Sequence, residues 1–311
     1  MATVKKPRAL KTGASVHVVL PASPARPELI ERGLAELRRL GYSPVTPRVA
    51  TKDDGYFAGA TNIRVDELFA ALGDKKSGAT IAERGGYGST CLLDALAARR
   101  PFPPQIVMGF SDLTALFVYL WQKHRWVTFH GPMVAAGFDC GPGAVGGYDE
   151  DSFRRAVSQT RGRWTLDLQG ETMWTGEAKG VLLGGCLTLL QTTLGTPWEL
   201  DTRGSILLLE DRGMRPYQVD RALTHLRQAG KFKGVRGFML GEFPECPAPP
   251  SSPSVREICA SILGETKVPV VWGTPVGHTS RPMLTLPLGV RAKLRATGGG
   301  RLDILEPAVR P

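Results

Sequence analysis

Apolar and polar positions alternate along the first part of the chain in two different periods. Residues 16–20 form a short strand-like stretch, apolar but for His17, and residues 27–40 repeat apolar positions every three to four residues up to Gly41. That is a strand followed by an amphipathic helix. Residues 43–47 read as a strand, 62–72 as a helix, and 79–82 as a strand entering the glycine cluster Arg84-Gly85-Gly86-Tyr87-Gly88. Residues 92–98 are helical, 106–108 a strand, and 112–121 a helix. Strands alternating with helices predict βαβ units and a mostly parallel sheet. Ligands of such sheets bind beyond the carboxyl ends of the strands, where both the glycine cluster and Ser111 fall.

The pattern changes near Phe138. Cys140-Gly141-Pro142-Gly143-Ala144-Val145-Gly146-Gly147 is too glycine-rich for a regular element, and residues 148–160 are polar with a short helical pattern. This predicts a linker over 138–172, between an N-terminal α/β domain over 1–137 and a C-terminal α/β domain over 173–311. In the second domain, residues 205–211 are an apolar strand ending in Glu210 and Asp211. A helix over 216–229 follows, then strands over 234–240 and 268–272, with a proline- and serine-rich loop over 247–254 between those strands.

Composition narrows the class. The 311 residues are 42% hydrophobic and 22% charged, ordinary for globular domains. No run approaches the roughly 18 apolar residues of a membrane span, and the basic stretch 1–11 lacks the apolar core of a signal peptide. A cytoplasmic protein without membrane partners is expected. Five cysteines stand at scattered positions (Cys91, Cys140, Cys186, Cys246 and Cys259), with neither C-x-x-C pairs nor zinc spacing, so no metal or cofactor is called for. The net charge of +10 is mostly dispersed. Without an accompanying recognition motif it does not predict nucleic-acid binding. It suits a substrate rich in carboxylates.

Three residues carry candidate chemistry. Ser111 sits in Gly109-Phe110-Ser111-Asp112 between a strand and a helix, the geometry of a nucleophile elbow. A serine there also serves as an ordinary helix cap. Glu210 ends a strand, where ion pairing or capping is common, and His278 lies in a loop after another strand. A serine hydroxyl needs an imidazole to take its proton, and the imidazole needs a carboxylate on its other nitrogen. The order Ser111, Glu210, His278 supplies one candidate for each role.

Several segments together carry a family resemblance. They are Leu20-Pro21-Ala22-Ser23-Pro24; Gly55-Tyr56-Phe57-Ala58-Gly59 with Arg64; Arg84-Gly85-Gly86-Tyr87-Gly88-Ser89; and Gly109-Phe110-Ser111-Asp112-Leu113-Thr114-Ala115-Leu116. Thr128-Phe129-His130-Gly131-Pro132-Met133, Gly184-Gly185-Cys186-Leu187, Leu209-Glu210-Asp211 with Pro216-Tyr217-Gln218-Val219-Asp220-Arg221, and Gly277-His278 follow in order. The chain resembles the LD-carboxypeptidases, the serine peptidase family of murein tetrapeptide carboxypeptidases and microcin C self-immunity proteins. The resemblance implies a flavodoxin-like N-terminal domain, a C-terminal α/β domain and an active site at their interface. It implies Ser111 as nucleophile, His278 as general base and Glu210 as its orienting carboxylate, with the amides of Gly86 and Asp112 as oxyanion hole. Arg84, Tyr87 and His130 are its candidate substrate contacts. The implied substrate is a cytosolic murein tetrapeptide cut between meso-diaminopimelate and D-Ala in peptidoglycan recycling, and relatives are often homodimers.

The chain departs from the family pattern at Cys186, where Asn is usual, and at Met214 and Arg215, where a Glu often precedes Pro-Tyr. Three other readings follow. One is an immunity-type hydrolase of peptidyl- or aminoacyl-nucleotide amides, which needs an aromatic such as Trp174, Trp198 or Trp272 to stack on a base. Another is a catalytically silent muropeptide-binding protein. A nucleotide-binding protein is the third, and the glycine cluster fits it poorly because it lacks the G-x-G-x-x-G spacing.

Overall fold

The structure, a computed structural model, describes residues 3–47, 55–100 and 102–311; Met1 and Ala2 of the basic arm lie outside the described residues. The alternating pattern of the first part builds parallel strands β1 (Ser15–Val19), β2 (Ser43–Val45), β3 (Ser77–Ala82), β4 (Ile106–Gly109) and β5 (Thr128–His130). Helices α1 (Pro27–Arg39), α2 (Thr61–Gly73), α3 (Leu93–Ala97) and α4 (Leu113–His124) connect them. The spatial order β5-β4-β3-β1-β2 is the flavodoxin-like arrangement. Every residue of β4 is buried, which is why 106–108 reads as unbroken apolar sequence instead of an alternation.

The expected linker is not one. Residues 138–172 hold a short helical turn (Phe138–Cys140), helix α5 (Glu150–Ser158) and strand β6 (Trp164–Asp167). Phe138, Tyr148 and Phe153 are fully buried and meet edge to face, with centroids 4.9, 5.4 and 5.8 Å apart. The Tyr148 hydroxyl donates to Glu36 of α1 at 2.6 Å, and Asp149 caps α5 by accepting the Ser152 N–H at 2.7 Å. The glycines that suggest a linker make turns on the outside of this aromatic core, and Gly141, Gly143 and Gly146 adopt positive φ there.

The remaining strands are β7 (Glu171–Trp174), β8 (Gly176–Cys186), β9 (Ser205–Glu210), β10 (Gly237–Leu240), β11 (Val270–Trp272), β12 (Leu286–Leu288), β13 (Arg291–Ala296) and β14 (Arg301–Ile304). All but β12 join β6 in an eight-stranded mixed sheet, ordered β6-β14-β13-β8-β9-β10-β11-β7. Strands β8 to β11 run parallel at its centre, flanked by antiparallel strands. Helices α6 (Leu187–Thr192), α7 (Pro216–Gln228) and α8 (Val255–Gly264) cover it. Strand β12 instead pairs antiparallel with β5 of the first sheet, and Arg310 pairs with Arg8. The chain therefore returns from the second sheet to the first, and a single cut near residue 172 does not separate the two.

Phe153→Ala is expected to cost about 3–5 kcal/mol, the range for emptying a buried aromatic site. Chemical denaturation measures it; a cost near zero would mean that residues 138–172 are a dispensable connector.

Candidate active site

The turn after β4 puts Ser111 at a φ of 61°, the left-handed region, which costs a non-glycine residue on the order of 1–3 kcal/mol. Ser111 does not cap α4: Asp112 holds the flanking position, and no side chain caps this helix. The buried Asp112 carboxylate accepts the Ser89 N–H at 2.7 Å, tying the elbow to the glycine loop. Burial pushes that carboxyl up, and hydrogen bonds from Ser89 and Gly88 oppose the shift. Gly85 packs directly on the serine: a Cβ there would lie 2.9 Å from Ser111 Cβ and 3.1 Å from its Oγ. Among the described residues the backbone N–H groups of Gly86 and Asp112 are not spent on other acceptors.

The carboxylate and imidazole come from the second sheet. Glu210, at the end of β9, has no exposed surface, and its Oε2 accepts His278 Nδ1–H at 2.7 Å and the His278 backbone N–H at 3.0 Å. Gly277 makes this possible. Its φ is 59°, and a Cβ there would sit 2.4 Å from Glu210 Cδ, so any side chain would displace the carboxylate. Burial alone would raise the Glu210 carboxyl, but attraction and hydrogen bonding to His278 outweigh it and hold it below its ordinary value. Burial likewise depresses the imidazole, and the Glu210 charge and bond outweigh that to raise it.

The two halves meet at Phe110, the neighbour of Ser111. Its ring lies edge-on to His278 with centroids 5.1 Å apart. A second tie is the Cys186 N–H, which donates to Thr114 Oγ1 of α4 at 3.0 Å. The Ser111 hydroxyl makes no side-chain hydrogen bond among the described residues, so its bond to the imidazole is not formed here. Such bonds often tighten only when substrate arrives.

The expected substrate contacts fare differently. Arg84 is exposed and donates to the Pro24 carbonyl at 2.7 Å; among the described residues it forms no ion pair with Asp112. Tyr87 is 47% exposed, so it is not a core residue. His130 is fully buried with neither ring nitrogen partnered among the described residues, and burial lowers its pKa to about 4. It stands 6.1 Å from Phe110 beneath the site and offers no surface to a substrate. Trp198 is buried as well, whereas Trp174 is 44% exposed and Trp272 stacks on Phe243 at 5.6 Å. The Cys186 thiol is buried, 3.5 Å from Asp211 Oδ2, which also accepts the Thr188 N–H and hydroxyl.

Sequence reasoning missed Ser23 and Glu83. The Ser23 N–H donates to the Gly85 carbonyl at 3.3 Å, and its Oγ accepts the Tyr87 N–H at 3.2 Å, pinning the glycine loop. Glu83 is buried behind that loop and accepts the Ala25 N–H at 3.2 Å; burial raises its carboxyl to about 7. The available signal was position: both lie at carboxyl ends of parallel strands, β1 and β3.

Two domain signatures match the chain: that of the LD-carboxypeptidase N-terminal domain over residues 16–131 and that of the C-terminal domain over 179–294. A probable murein peptide carboxypeptidase of Bacillus subtilis is 33% identical, covering 93% of this chain and 91% of its own length. The crystal structure of the muramoyltetrapeptide carboxypeptidase from Oxalobacter formigenes is 28% identical, with a TM-score of 0.81 over 94% of this chain and 99% of that one. The microcin C7 self-immunity protein MccF in complex with aspartyl sulfamoyl adenosine is 25% identical, with a TM-score of 0.87 over 98% and 99%. The chain belongs to the LD-carboxypeptidase family. It is an enzyme of the serine carboxypeptidase class.

The paired His278 and Glu210 make a signed prediction. A histidine whose folded pKa is raised contributes stability that is present below its unfolded pKa and lost as pH rises through the folded one. Glu210→Gln removes the charge that raises it, so the His278 titration followed by NMR should move to lower pH. An unchanged titration would show that the carboxylate does not hold the imidazole.

Proposed function

We propose that Ser111, His278 and Glu210 form one catalytic triad across the two sheets, and that the enzyme removes the terminal D-Ala of cytosolic murein tetrapeptides. The observation that carries this reading is the 2.7 Å bond from His278 to the buried Glu210, made by an imidazole that packs on the residue next to a strained serine. Glu210 fixes the tautomer with the proton on Nδ1, leaving Nε2 as the base. Ser111 Oγ attacks the carbonyl carbon of the meso-diaminopimelate–D-Ala bond as His278 takes its proton. The N–H groups of Gly86 and Asp112 receive the developing oxyanion, each worth on the order of 3 kcal/mol in the transition state. The tetrahedral intermediate then expels D-Ala, with the proton returned from His278 to the leaving amine. Water, activated by the same imidazole, releases the peptide from Ser111.

One arginine beside the glycine loop supports a substrate carboxylate. Arg212 and Arg281 are already matched to Glu245 and Glu242, whereas Arg84 keeps donor capacity beyond its single bond to Pro24. Arg84 is our candidate for a substrate carboxylate, and a bidentate pair there would orient the peptide. We assign the enzyme to peptidoglycan recycling in the cytoplasm, as a homodimer. Among the described residues no helix is long and apolar enough to cross a membrane.

Mass-spectrometric analysis of L-Ala-γ-D-Glu-meso-diaminopimelate-D-Ala should show D-Ala release by the wild type and a loss of roughly 10⁴-fold or more in Ser111→Ala. Release by both would remove Ser111 from the mechanism. Cleavage of an aspartyl-nucleoside amide without D-Ala release would assign the same triad to the rival substrate. Binding of the peptide with no cleavage of either substrate would identify a silent binding protein.

A further inference from the structure

Both bonds from His278 to Glu210 end on one atom. The ring Nδ1–H and the backbone N–H donate to Glu210 Oε2, while Oε1 is buried without a hydrogen-bond partner among the described residues. Two donors on one acceptor fix the distance of the residue more firmly than its rotation about that oxygen. Nε2, on the far side of the ring, moves most in such a turn. A displacement on the order of 1 Å costs up to about 10²-fold in rate, so the turn has to be stopped from elsewhere.

A second carboxylate grips the next residue of the loop. Glu242 lies two residues past the end of β10, the strand that pairs with β9. Its Oε2 accepts the Thr279 hydroxyl at 2.6 Å, and its Oε1 accepts Arg281 Nε–H. The Arg281 backbone N–H returns to Thr279 Oγ1 at 3.1 Å, which closes a ring of bonds through Thr279, Glu242 and Arg281. The same guanidinium donates to the Gln169 carbonyl at 2.8 Å and to the Gly273 carbonyl, so the ring is anchored to the turn between β6 and β7 and to the end of β11. Hydrogen bonds to charged groups are roughly twice as strong as neutral ones. Farther along, the Gly146 N–H donates to the Ser280 carbonyl at 2.8 Å and the Met283 N–H to the Gly147 carbonyl at 3.0 Å. Those backbone bonds hold the course of the loop independently of the ring.

We propose that Glu242 and Thr279 are positioning residues for the general base: they lock the rotation of His278 about Glu210, and Arg281 holds Glu242 in place for that task. This inference rests on the triad reading above. Consecutive residues of one loop are held by carboxylates from neighbouring parallel strands, His278 by Glu210 and Thr279 by Glu242. Gly241, between those strand ends, leaves the room: a Cβ there would lie 2.6 Å from Glu210 Cβ. Neither Glu242 nor Thr279 acts on a reacting atom in this role, and both work through the aim of the imidazole.

The test uses two readouts, hydrolysis of the murein tetrapeptide and the rate at which a fluorophosphonate labels Ser111. It compares the wild type with Thr279→Val, Thr279→Ser and Glu242→Ala, each checked for wild-type circular dichroism. Thr279→Val keeps the shape of the side chain and loses the hydroxyl. It should lower kcat by about tenfold with KM little changed, and slow labelling by a similar factor. Thr279→Ser should recover most of both, and Glu242→Ala should lower both at least as far as Thr279→Val. Unchanged kcat and labelling in Thr279→Val or Glu242→Ala, or an equal loss in Thr279→Ser, would overturn the positioning role. If the wild type is labelled but leaves the peptide uncut, the peptide reading fails and the labelling rates alone decide the role. An unlabelled Ser111 in the wild type would overturn the triad, and the positioning role with it.

Discussion

A carboxylate with no exposed surface stays ionised only where something positive or hydrogen-bonding faces it, and for Glu210 that partner is His278. Burial and pairing pull in opposite directions on both groups, and pairing wins on both. The pair therefore holds itself together, and the imidazole is aimed by a largely buried contact that solvent screens little. Much of the second sheet serves that contact. The apolar strand β9 delivers Glu210 to the end of the sheet, and the loop after β11 brings Gly277 and His278 over it.

The first sheet answers with a different constraint. The turn after β4 holds Ser111 in a conformation that a non-glycine residue rarely adopts, and the surrounding contacts fix it there. Gly85 presses against the serine, Asp112 ties the turn to Ser89, and Ser23 secures the glycine loop from β1. Phe110 joins the two systems by packing against His278, and Thr114 joins them again through the Cys186 amide. Strand β12 adds a covalent return to the first sheet. Relative motion of the sheets would move the imidazole from the serine, so in the proposed triad these ties set the distance between base and nucleophile.

Legibility in the sequence followed the range of the interactions. Strands β4 and β9 are legible because their apolar runs are local and every residue is buried, as are residues 79–82 of β3, whereas β1 is legible although its burial partly alternates. The elbow and the loop histidine were readable because strand ends carry chemistry in parallel sheets. The segment 138–172 was misread because its glycines and polar residues conceal the spacing of Phe138, Tyr148 and Phe153, whose mutual packing exists only in three dimensions. The return of β12 to β5 is a long-range pairing that no local pattern announces. The burial of His130 beside the Phe110 ring is likewise a long-range feature that its sequence neighbourhood does not announce.

The central claim is that one serine is activated by an imidazole from the other sheet. Labelling with a fluorophosphonate followed by peptide mapping tests it most directly. The account predicts a single adduct, on Ser111, that fails to form in His278→Ala. An adduct on another residue, or labelling of Ser111 at an undiminished rate in His278→Ala, would contradict it.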